Sequence, residues 1–156
     1  MLTQGVGYAC QALAVIALDK KKTHLVKDIA TEAGIPAPYL AKIIQQLAKR
    51  GFVSTRRGVG GGVTLMVEPA SITLFEVCDA LDDPIVQKRC MLGTEECSDD
   101  RACPCHVFWV SHRGEYHDFL HSTTIADMAA FESTQKARAN GEKIQQVNIR
   151  IPKPRP

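Results

Sequence analysis

The stretch that decides the fold runs from residue 37 to residue 67 and reads APYLAKIIQQLAKRGFVSTRRGVGGGVTLMV. Its first part carries apolar side chains at the spacing of one helix face, namely Leu40, Ile43, Ile44 and Leu47. Pro38 suits the first turn of a helix, and Gly51 suits its end. The apolar segments that flank a glycine-rich run predict a β-hairpin with a long, basic tip. The stretch therefore predicts an amphipathic helix, from 38 to about 50, followed by a hairpin.

Helical patterns surround this stretch. Apolar residues recur at helical spacing over residues 3–19 and 25–33. Beyond the hairpin, Thr73 and Glu76 form a capping-box pattern that opens another helix. Helix, short helix, glycine turn, amphipathic helix and hairpin is the order of a winged helix-turn-helix. We therefore predict such a domain over residues 1–81, in a fold that is mainly α with one small β-hairpin.

Charge is distributed unevenly along the chain, although the net charge is only +2. Residues 1–67 carry nine Lys and Arg against three Asp and Glu, whereas residues 68–132 carry four against thirteen. Residues 133–156 are basic again, with six against one, and their polar composition predicts a disordered tail. A basic first half is typical of a protein that meets a polyanion, although ordinary surface charge gives a similar pattern.

The outer face of the predicted helix over 38–50 and the hairpin tip are the parts suited to DNA. An α-helix fits the major groove, where Lys and Gln contact phosphates and base edges. A tip with few side chains allows close backbone approach, and an Arg beside it can enter a narrow minor groove. The residues that we predict to contact double-stranded DNA are Pro38, Tyr39, Lys42, Gln45, Arg56, Arg57, Gly58 and Gly60. The alternative to DNA binding is a solvated basic face on a helical scaffold. The occurrence of five elements in this order favours DNA binding.

Length and composition limit the remaining classes of protein. The chain has 156 residues, 45% of them hydrophobic, which suits one domain with an appended arm. It contains no run of 18 apolar residues and no pattern of a secretory signal. We therefore expect a cytoplasmic protein that does not enter a membrane.

Four of the six cysteines lie within 16 positions of one another. In a cytoplasmic chain, such a cluster is typical of metal binding or redox chemistry. Cys90, Cys97, Cys103 and His106 are the candidate ligands, and they lie in or beside an acidic, irregular loop over residues 82–105. A helix that starts near 104 would place Cys103 and His106 on one face and turn Cys105 away. The other two thiols, Cys10 and Cys78, fall in apolar helical patterns and are predicted to be buried.

The spacing of these residues alone leaves three interpretations open. Zinc sites usually begin with two cysteines separated by two to four residues, whereas the gaps here are six and five. Wider gaps suit an iron–sulfur cluster, in which His can replace a Cys ligand. Redox-active thiols without a metal are the third interpretation. An enzyme with Cys103 or Cys105 as nucleophile is not expected, because no positioned base accompanies either thiol.

The chain resembles the Rrf-type winged-helix regulators of transcription, whose members include IscR, NsrR and RirA. The resemblance covers residues 1–132 and rests on Pro38-Tyr39-Leu40, on Arg57-Gly58-Val59-Gly60-Gly61-Gly62 and on the three spaced cysteines. It implies a DNA-binding regulator, not an enzyme, that works as a homodimer. Residues 104–132 would hold a dimerisation helix, from about 104 to 121, and a last short helix over 125–132. Dimer symmetry implies a palindromic operator.

The same resemblance implies an iron–sulfur cluster on Cys90, Cys97 and Cys103 with one further ligand. In the IscR branch this ligand is a His three residues after the third Cys, which matches His106 and favours [2Fe–2S]. Cys105 is a substitute ligand. In the NsrR branch the ligand is an acidic residue near the N-terminus, where this chain has Gly7, so [4Fe–4S] is less favoured.

Two departures from the IscR pattern bear on specificity. The first cysteine gap is six rather than five, and Ala41 stands where IscR carries an acidic residue of the recognition helix. These departures leave cluster type and operator open. The chain is thus expected to sense redox or iron–sulfur and iron status through the cluster. A zinc-structured or thiol-redox winged-helix regulator without the cluster is the alternative.

Overall fold

The computed structural model describes residues 2–93, 95–101 and 103–141, which form six α-helices and one two-stranded antiparallel sheet. The elements, in chain order, are α1 (Gln4–Leu18), α2 (Val26–Ala33), α3 (Ala37–Lys49), β1 (Val53–Arg56), β2 (Gly62–Leu65), α4 (Leu74–Ala80), α5 (His106–Ser122) and α6 (Ile125–Ala139). None of the described helices is long and apolar enough to cross a membrane. The predicted fold class, mainly α with a small hairpin, is confirmed.

The core forms around α1, which lies beneath α2, α3, α4 and α6. Eight of its fifteen residues are buried, including Leu13 and Ile16. The apolar face of α3 packs onto it, as the periodicity predicted. The helix α3 begins at Ala37 rather than at Pro38, because Pro36 takes the capping position. Pro38 then lies in the first turn, where its missing N–H has no intrahelical partner to lose.

The hairpin packs beside α3 and pairs Val53 with Leu65 and Arg56 with Gly62. His24 extends the sheet through two backbone hydrogen bonds with Val63, of 2.9 and 2.7 Å. The glycine run is required at the turn, since a Cβ on Gly61 would lie 2.2 Å from the carbonyl oxygen of Arg56. The backbone at the base of this hairpin, the wing of the domain, is therefore fixed, whereas the tip at residues 57–60 is exposed.

Hydrogen bonds connect the segment after the hairpin to the start of α1 and to the start of α6. The capping box of Thr73 and Glu76 starts α4 as predicted. Backbone hydrogen bonds join Leu74 to Thr123 and Ile125 to Ile72, both of 2.9 Å, so that α4 and α6 start side by side. Asp83, almost fully buried, accepts a 2.8 Å hydrogen bond from the N–H of Thr3 at the start of α1.

Two of the predicted boundaries in the C-terminal part are wrong. The helix α6 extends to Ala139 and not to 132, so the disorder predicted from residue 133 does not apply to its last turns. These turns are held because Thr134 is buried and Lys136 pairs with Glu32 of α2. The rest of the predicted tail, residues 142–156, lies outside the described residues. The helix α5 begins at His106, two residues later than predicted.

Candidate nucleic-acid interface and metal centre

The outward face of α3 carries the residues predicted to lie in the major groove. Pro38, Tyr39, Lys42 and Gln45 are all exposed. The ring of Tyr39 is held edge-on against Tyr8 of α1, with ring centroids 5.7 Å apart. A groove of about 520 Å³ runs between this face and the start of α1. The residues that line it include Thr3, Gln4, Tyr39, Lys42, Gln45, Gln46 and Lys49.

The wing presents its cations and an open tip on the surface. Arg56, Arg57, Gly58 and Gly60 are exposed, and no atom lies within 4 Å of the place where a Cβ on either glycine would stand. Both glycines have positive φ, of 93° and 74°. The side chain of Val59 between them is fully exposed.

The cations of the DNA-binding half differ in their pairing. Lys20 pairs with Glu68 at 2.7 Å and Arg50 pairs with Asp79 at 2.8 Å. Within the described ranges, the predicted DNA contacts Lys42, Arg56 and Arg57 form no ion pair with an acidic side chain. Their charge is therefore available to a polyanion.

Backbone hydrogen bonds order part of the loop over residues 82–105, which the sequence predicted to be irregular. We call it the cysteine loop. The N–H of Cys90 donates to the carbonyl of Glu95 at 2.9 Å, and the N–H of Cys97 donates to that of Lys88 at 3.3 Å. These bonds, with the bridge between Arg89 and Glu96, place residues 88–90 antiparallel to residues 95–97. Cys90 and Cys97 lie at opposite ends of this short antiparallel pair.

Three thiols meet in one cleft. Cys90, Cys97 and Cys103 line a cleft of about 360 Å³, together with Leu92, Gly93, Glu95, Glu96 and Ser98. The thiols of Cys97 and Cys103 lie close enough to the thiol of Cys90 to affect its pKa. We call this the thiol cleft.

His106, the first residue of α5, lies outside the described lining of the thiol cleft but contacts one of its three thiols. It is 7% exposed, and its Nδ1 lies 3.1 Å from the Sγ of Cys97. Its Nε2 lies 2.8 Å from Oδ1 of Asp99. The prediction that Cys103 and His106 share a helix face is wrong, since Cys103 precedes the helix. A turn in which the N–H of His106 donates to the carbonyl of Cys103, at 2.9 Å, connects the two residues instead.

Cys105, the suggested substitute ligand, precedes α5 directly and is half-buried. It is not among the described residues that line the thiol cleft. Cys10 and Cys78 are buried as predicted, and burial raises the pKa of each thiol to about 12. They are therefore protonated packing groups at neutral pH.

The thiols of the cleft differ in acidity. A hydrogen bond from the backbone at Leu92 lowers the pKa of Cys90, and the nearby thiols of Cys103 and Cys97 lower it further. Partial desolvation raises the pKa of Cys97, and the charge of Cys90 raises it further, while Arg113 opposes the shift. Cys90 is therefore more readily ionised than Cys97.

The donor set decides which kind of metal group fits. Within residues 2–93, 95–101 and 103–141, no three His, Cys, Asp or Glu side chains converge tightly enough to hold a single metal ion. Three sulfur donors line an open cleft instead, and a nitrogen donor, Nδ1 of His106, contacts one of them, Cys97. Cysteine sulfur with a replacing histidine is a donor set of iron–sulfur clusters, so the residues present fit such a group.

Sequence reasoning missed the side chains around these donors. Asp99 binds His106, and the N–H of the Trp109 ring donates to the carbonyl of Arg89 at 3.1 Å, which joins α5 to the cysteine loop. Arg113 lies close enough to Cys97 to affect its pKa. The acidic pair at 99–100 between two cysteines was the one available signal, since the other contacts depend on the folded loop.

Most of α5 is not buried by the rest of the chain. Only His106 and Leu120 of its seventeen residues are buried. Its exposed apolar side chains include Val107, Phe108, Val110, Tyr116 and Phe119. We call this the α5 face.

A helix-turn-helix whose second helix and basic hairpin share an exposed, unpaired positive surface defines a winged-helix DNA-binding protein. A family model then specifies the class. The model described as Rrf2, iron-dependent transcriptional regulator, matches residues 2–130. The chain belongs to the Rrf2 family of transcriptional regulators.

Individual relatives agree with this assignment. The chain is 36% identical over 129 residues to an HTH-type transcriptional regulator of Aquifex aeolicus, covering 81% of this chain and 90% of that protein. It is 30% identical, over an alignment of 161 positions, to the HTH-type transcriptional regulator IscR of Photorhabdus laumondii, covering 96% of this chain and 98% of that protein. These relatives confirm the predictions of a transcriptional regulator and of a protein that is not an enzyme.

A solved structure confirms the fold. CymR, the global cysteine regulator of B. subtilis, superimposes with a TM-score of 0.69 at 24% identity, over 84% of this chain and 97% of that one. At this identity the likeness concerns the fold alone.

Proposed function

We propose that this regulator is a cytoplasmic homodimer that binds a palindromic operator and senses redox or iron–sulfur status through an iron–sulfur cluster. The observation that carries the proposal is the convergence of Cys90, Cys97 and Cys103 on the thiol cleft, with the ring of His106 in contact with Cys97. The four donors come from two separate segments, the folded cysteine loop and the start of α5. Such a convergence matches the ligand requirement of a cluster better than that of a single ion.

The DNA contacts of this proposal divide between α3 and the wing. Lys42 and Gln45, with Pro38 and Tyr39 beside them, would lie in the major groove. Arg57 would enter the minor groove, with Arg56, Gly58 and Gly60 close to the backbone. The exposure of these residues and the absence of acidic partners for the cations, within the described ranges, support this assignment. Cations that displace counterions from phosphates supply much of the affinity for DNA.

Cys90, Cys97, Cys103 and His106 would hold the cluster, and [2Fe–2S] is favoured because a histidine replaces one thiolate. When bound, the cluster supplies one-electron redox chemistry. The chain's own residues orient the donors: the turn at Cys103 holds His106 in place, and Arg113 faces the thiol of Cys97. Cys105 lies aside and is the weaker candidate for a ligand.

A structural route connects the thiol cleft to the DNA-binding half. Trp109 holds the loop onto α5, and the ring of Phe75 on α4 stacks on His121 of α5 at 3.9 Å. The α5 face would pack against its copy in the dimer. A change in the loop would then shift α5 and alter the relative pose of the two DNA-binding halves. Sensing requires the cluster to bind these two arrangements with different affinity.

The proposal is tested by purifying the protein without oxygen and counting iron, acid-labile sulfide and zinc per chain. Near-equal iron and sulfide, at about two of each per chain, are expected for [2Fe–2S]. Selection from random-sequence duplexes, with the molar mass of the complex, tests the palindrome and the dimer. A protein that holds neither iron nor sulfide would contradict the proposal that it senses through an iron–sulfur cluster.

A thiol-redox or zinc-structured regulator is the second candidate. The shared cleft of Cys90, Cys97 and Cys103 favours it, since neighbouring thiols can form a disulfide without a metal. Zinc without sulfide, or a disulfide within this set after mild oxidation of a metal-free protein, is the expected result for this candidate. DNA binding by α3 and the wing is common to both candidates.

A further inference from the structure

We propose that Asp99 is a positioning residue that fixes the ring of His106, so that Nδ1 is the nitrogen that faces Cys97. This inference rests on the proposed function, because it concerns how a cluster ligand is presented. It assigns a role to a carboxylate that is itself no candidate ligand.

The two nitrogens of His106 have different partners. Nε2 lies 2.8 Å from Oδ1 of Asp99, and Nδ1 lies 3.1 Å from Sγ of Cys97. An ionised carboxylate only accepts hydrogen bonds, so Nε2 carries the proton in this pair. A neutral imidazole has one N–H, and its other nitrogen then has a free lone pair. That lone pair, on Nδ1, is directed toward Sγ of Cys97.

The surroundings of the ring make this orientation specific. The side chain of His106 is 9% exposed, whereas that of Asp99 is fully exposed. Asp99 begins a short 3-10 turn over Asp99–Arg101, which presents its carboxylate to the outer edge of the ring. Ligand histidines typically donate their second N–H to a carboxylate or carbonyl, which fixes tautomer and orientation. Asp99 occupies this position relative to His106.

A merely structural role of Asp99 predicts different behaviour. A carboxylate near the first turn of α5 also stabilises the helix, because its negative charge interacts favourably with the helix dipole. In that case any loss on substitution would appear in the stability of the fold. Asp100, the next residue on the same turn and also exposed, provides a matched control for charge.

The experiment compares Asp99→Ala, Asp99→Asn and Asp100→Ala in the full chain, purified without oxygen. The readouts are the rate at which a chelator bleaches the cluster and the nitrogen hyperfine coupling in pulsed EPR of the reduced cluster. Asp99→Ala is expected to bleach about 10-fold faster, the lower end of second-shell effects, with an altered nitrogen coupling. Asp99→Asn keeps an acceptor oxygen for Nε2–H and is expected to behave like the wild type, as is Asp100→Ala.

Nitrogen-15 NMR of histidine-labelled, metal-free protein provides a readout that does not need the cluster. The wild type is expected to hold His106 as the Nε2–H tautomer, and Asp99→Ala to hold a mixture. Equal bleaching and coupling in Asp99→Ala and Asp100→Ala, or an Asp99→Asn variant as defective as Asp99→Ala, would overturn the inference alone. A wild-type chain without iron and sulfide would overturn the proposed function, and the tautomer would still decide the role of Asp99.

Discussion

The helices α1 and α5 have similar lengths but opposite relations to the rest of the chain. Eight of the fifteen residues of α1 are buried, whereas two of the seventeen residues of α5 are. The chain itself covers the apolar side chains of α1. It leaves the α5 face exposed, beside a cleft lined by three thiols.

This difference separates two kinds of region. One is stabilised by packing within the chain, and the other exposes apolar side chains and thiols that a partner or a cofactor can contact. The DNA-binding half gains its stability from aliphatic burial around Leu13, Leu40 and Leu47. In the proposed function, the α5 face and the thiol cleft are completed by a second copy and by a cluster. Substitutions should therefore affect folding in the first region, and assembly or loading in the second.

The largest effect is expected at the thiol cleft. Cys97→Ala should abolish the bound cluster, because it removes a donor that lines the thiol cleft and contacts His106, while the far-UV circular dichroism stays that of the wild type. Cys105→Ser is the matched control and should retain iron and sulfide. Full iron retention in Cys97→Ala, or complete loss in Cys105→Ser, would show that the ligand assignment is wrong.

A truncation in each helix tests the comparison directly. Leu13→Ala removes a fully buried side chain and should lower the free energy of unfolding by about 2–5 kcal/mol. Val107→Ala removes a side chain that is 79% exposed and should change it by less than about 0.5 kcal/mol. Urea unfolding of the metal-free chain, diluted until it is monomeric, measures both. Equal losses would remove the distinction between the two helices.

The wing should affect DNA binding and nothing else. Arg57→Ala should weaken operator binding by about 1–3 kcal/mol and reduce the slope of log affinity against log salt by about 1. Fluorescence anisotropy with a selected duplex measures both, and the absorption spectrum of the cluster should not change. Lys20→Ala is the control, since Lys20 is paired with Glu68. An affinity equal to the wild type in Arg57→Ala would exclude the wing from the interface.

The smallest effect concerns the order of thiol reactivity in the metal-free protein. The lowered pKa of Cys90 and the raised pKa of Cys97 give Cys90 the larger thiolate fraction at every pH. Iodoacetamide should therefore alkylate Cys90 several-fold faster than Cys97 near pH 7.5, since the thiolate is the nucleophile. Mass spectrometry of peptides over time gives the order. Faster alkylation of Cys97 would contradict it, and Cys10 and Cys78 should react only after unfolding.

Local patterns predicted the elements of the DNA-binding half. The spacing of Leu40, Ile43, Ile44 and Leu47 and the capping box at Thr73 depend on neighbours within a few residues, so the sequence alone was sufficient. The extension of α6 depends on Lys136 meeting Glu32, which is 104 positions away. No local pattern reports such a contact.

The thiol cleft was only partly predictable for the same reason. Spacing and resemblance identified its cysteines and histidine as candidates. The turn at Cys103 replaced the expected helix face, and the contact between Asp99 and His106 depends on how the loop folds back. Donor types follow from the sequence, whereas donor orientation requires the fold.

The most direct test of the account is a crystal structure of the protein purified without oxygen, with anomalous data at the iron edge. Two iron peaks are expected at the thiol cleft, bound by Cys90, Cys97, Cys103 and His106, with the α5 face packed against a second copy. A single zinc peak, a disulfide among the three thiols without iron, or an α5 face open to solvent in every copy would contradict it.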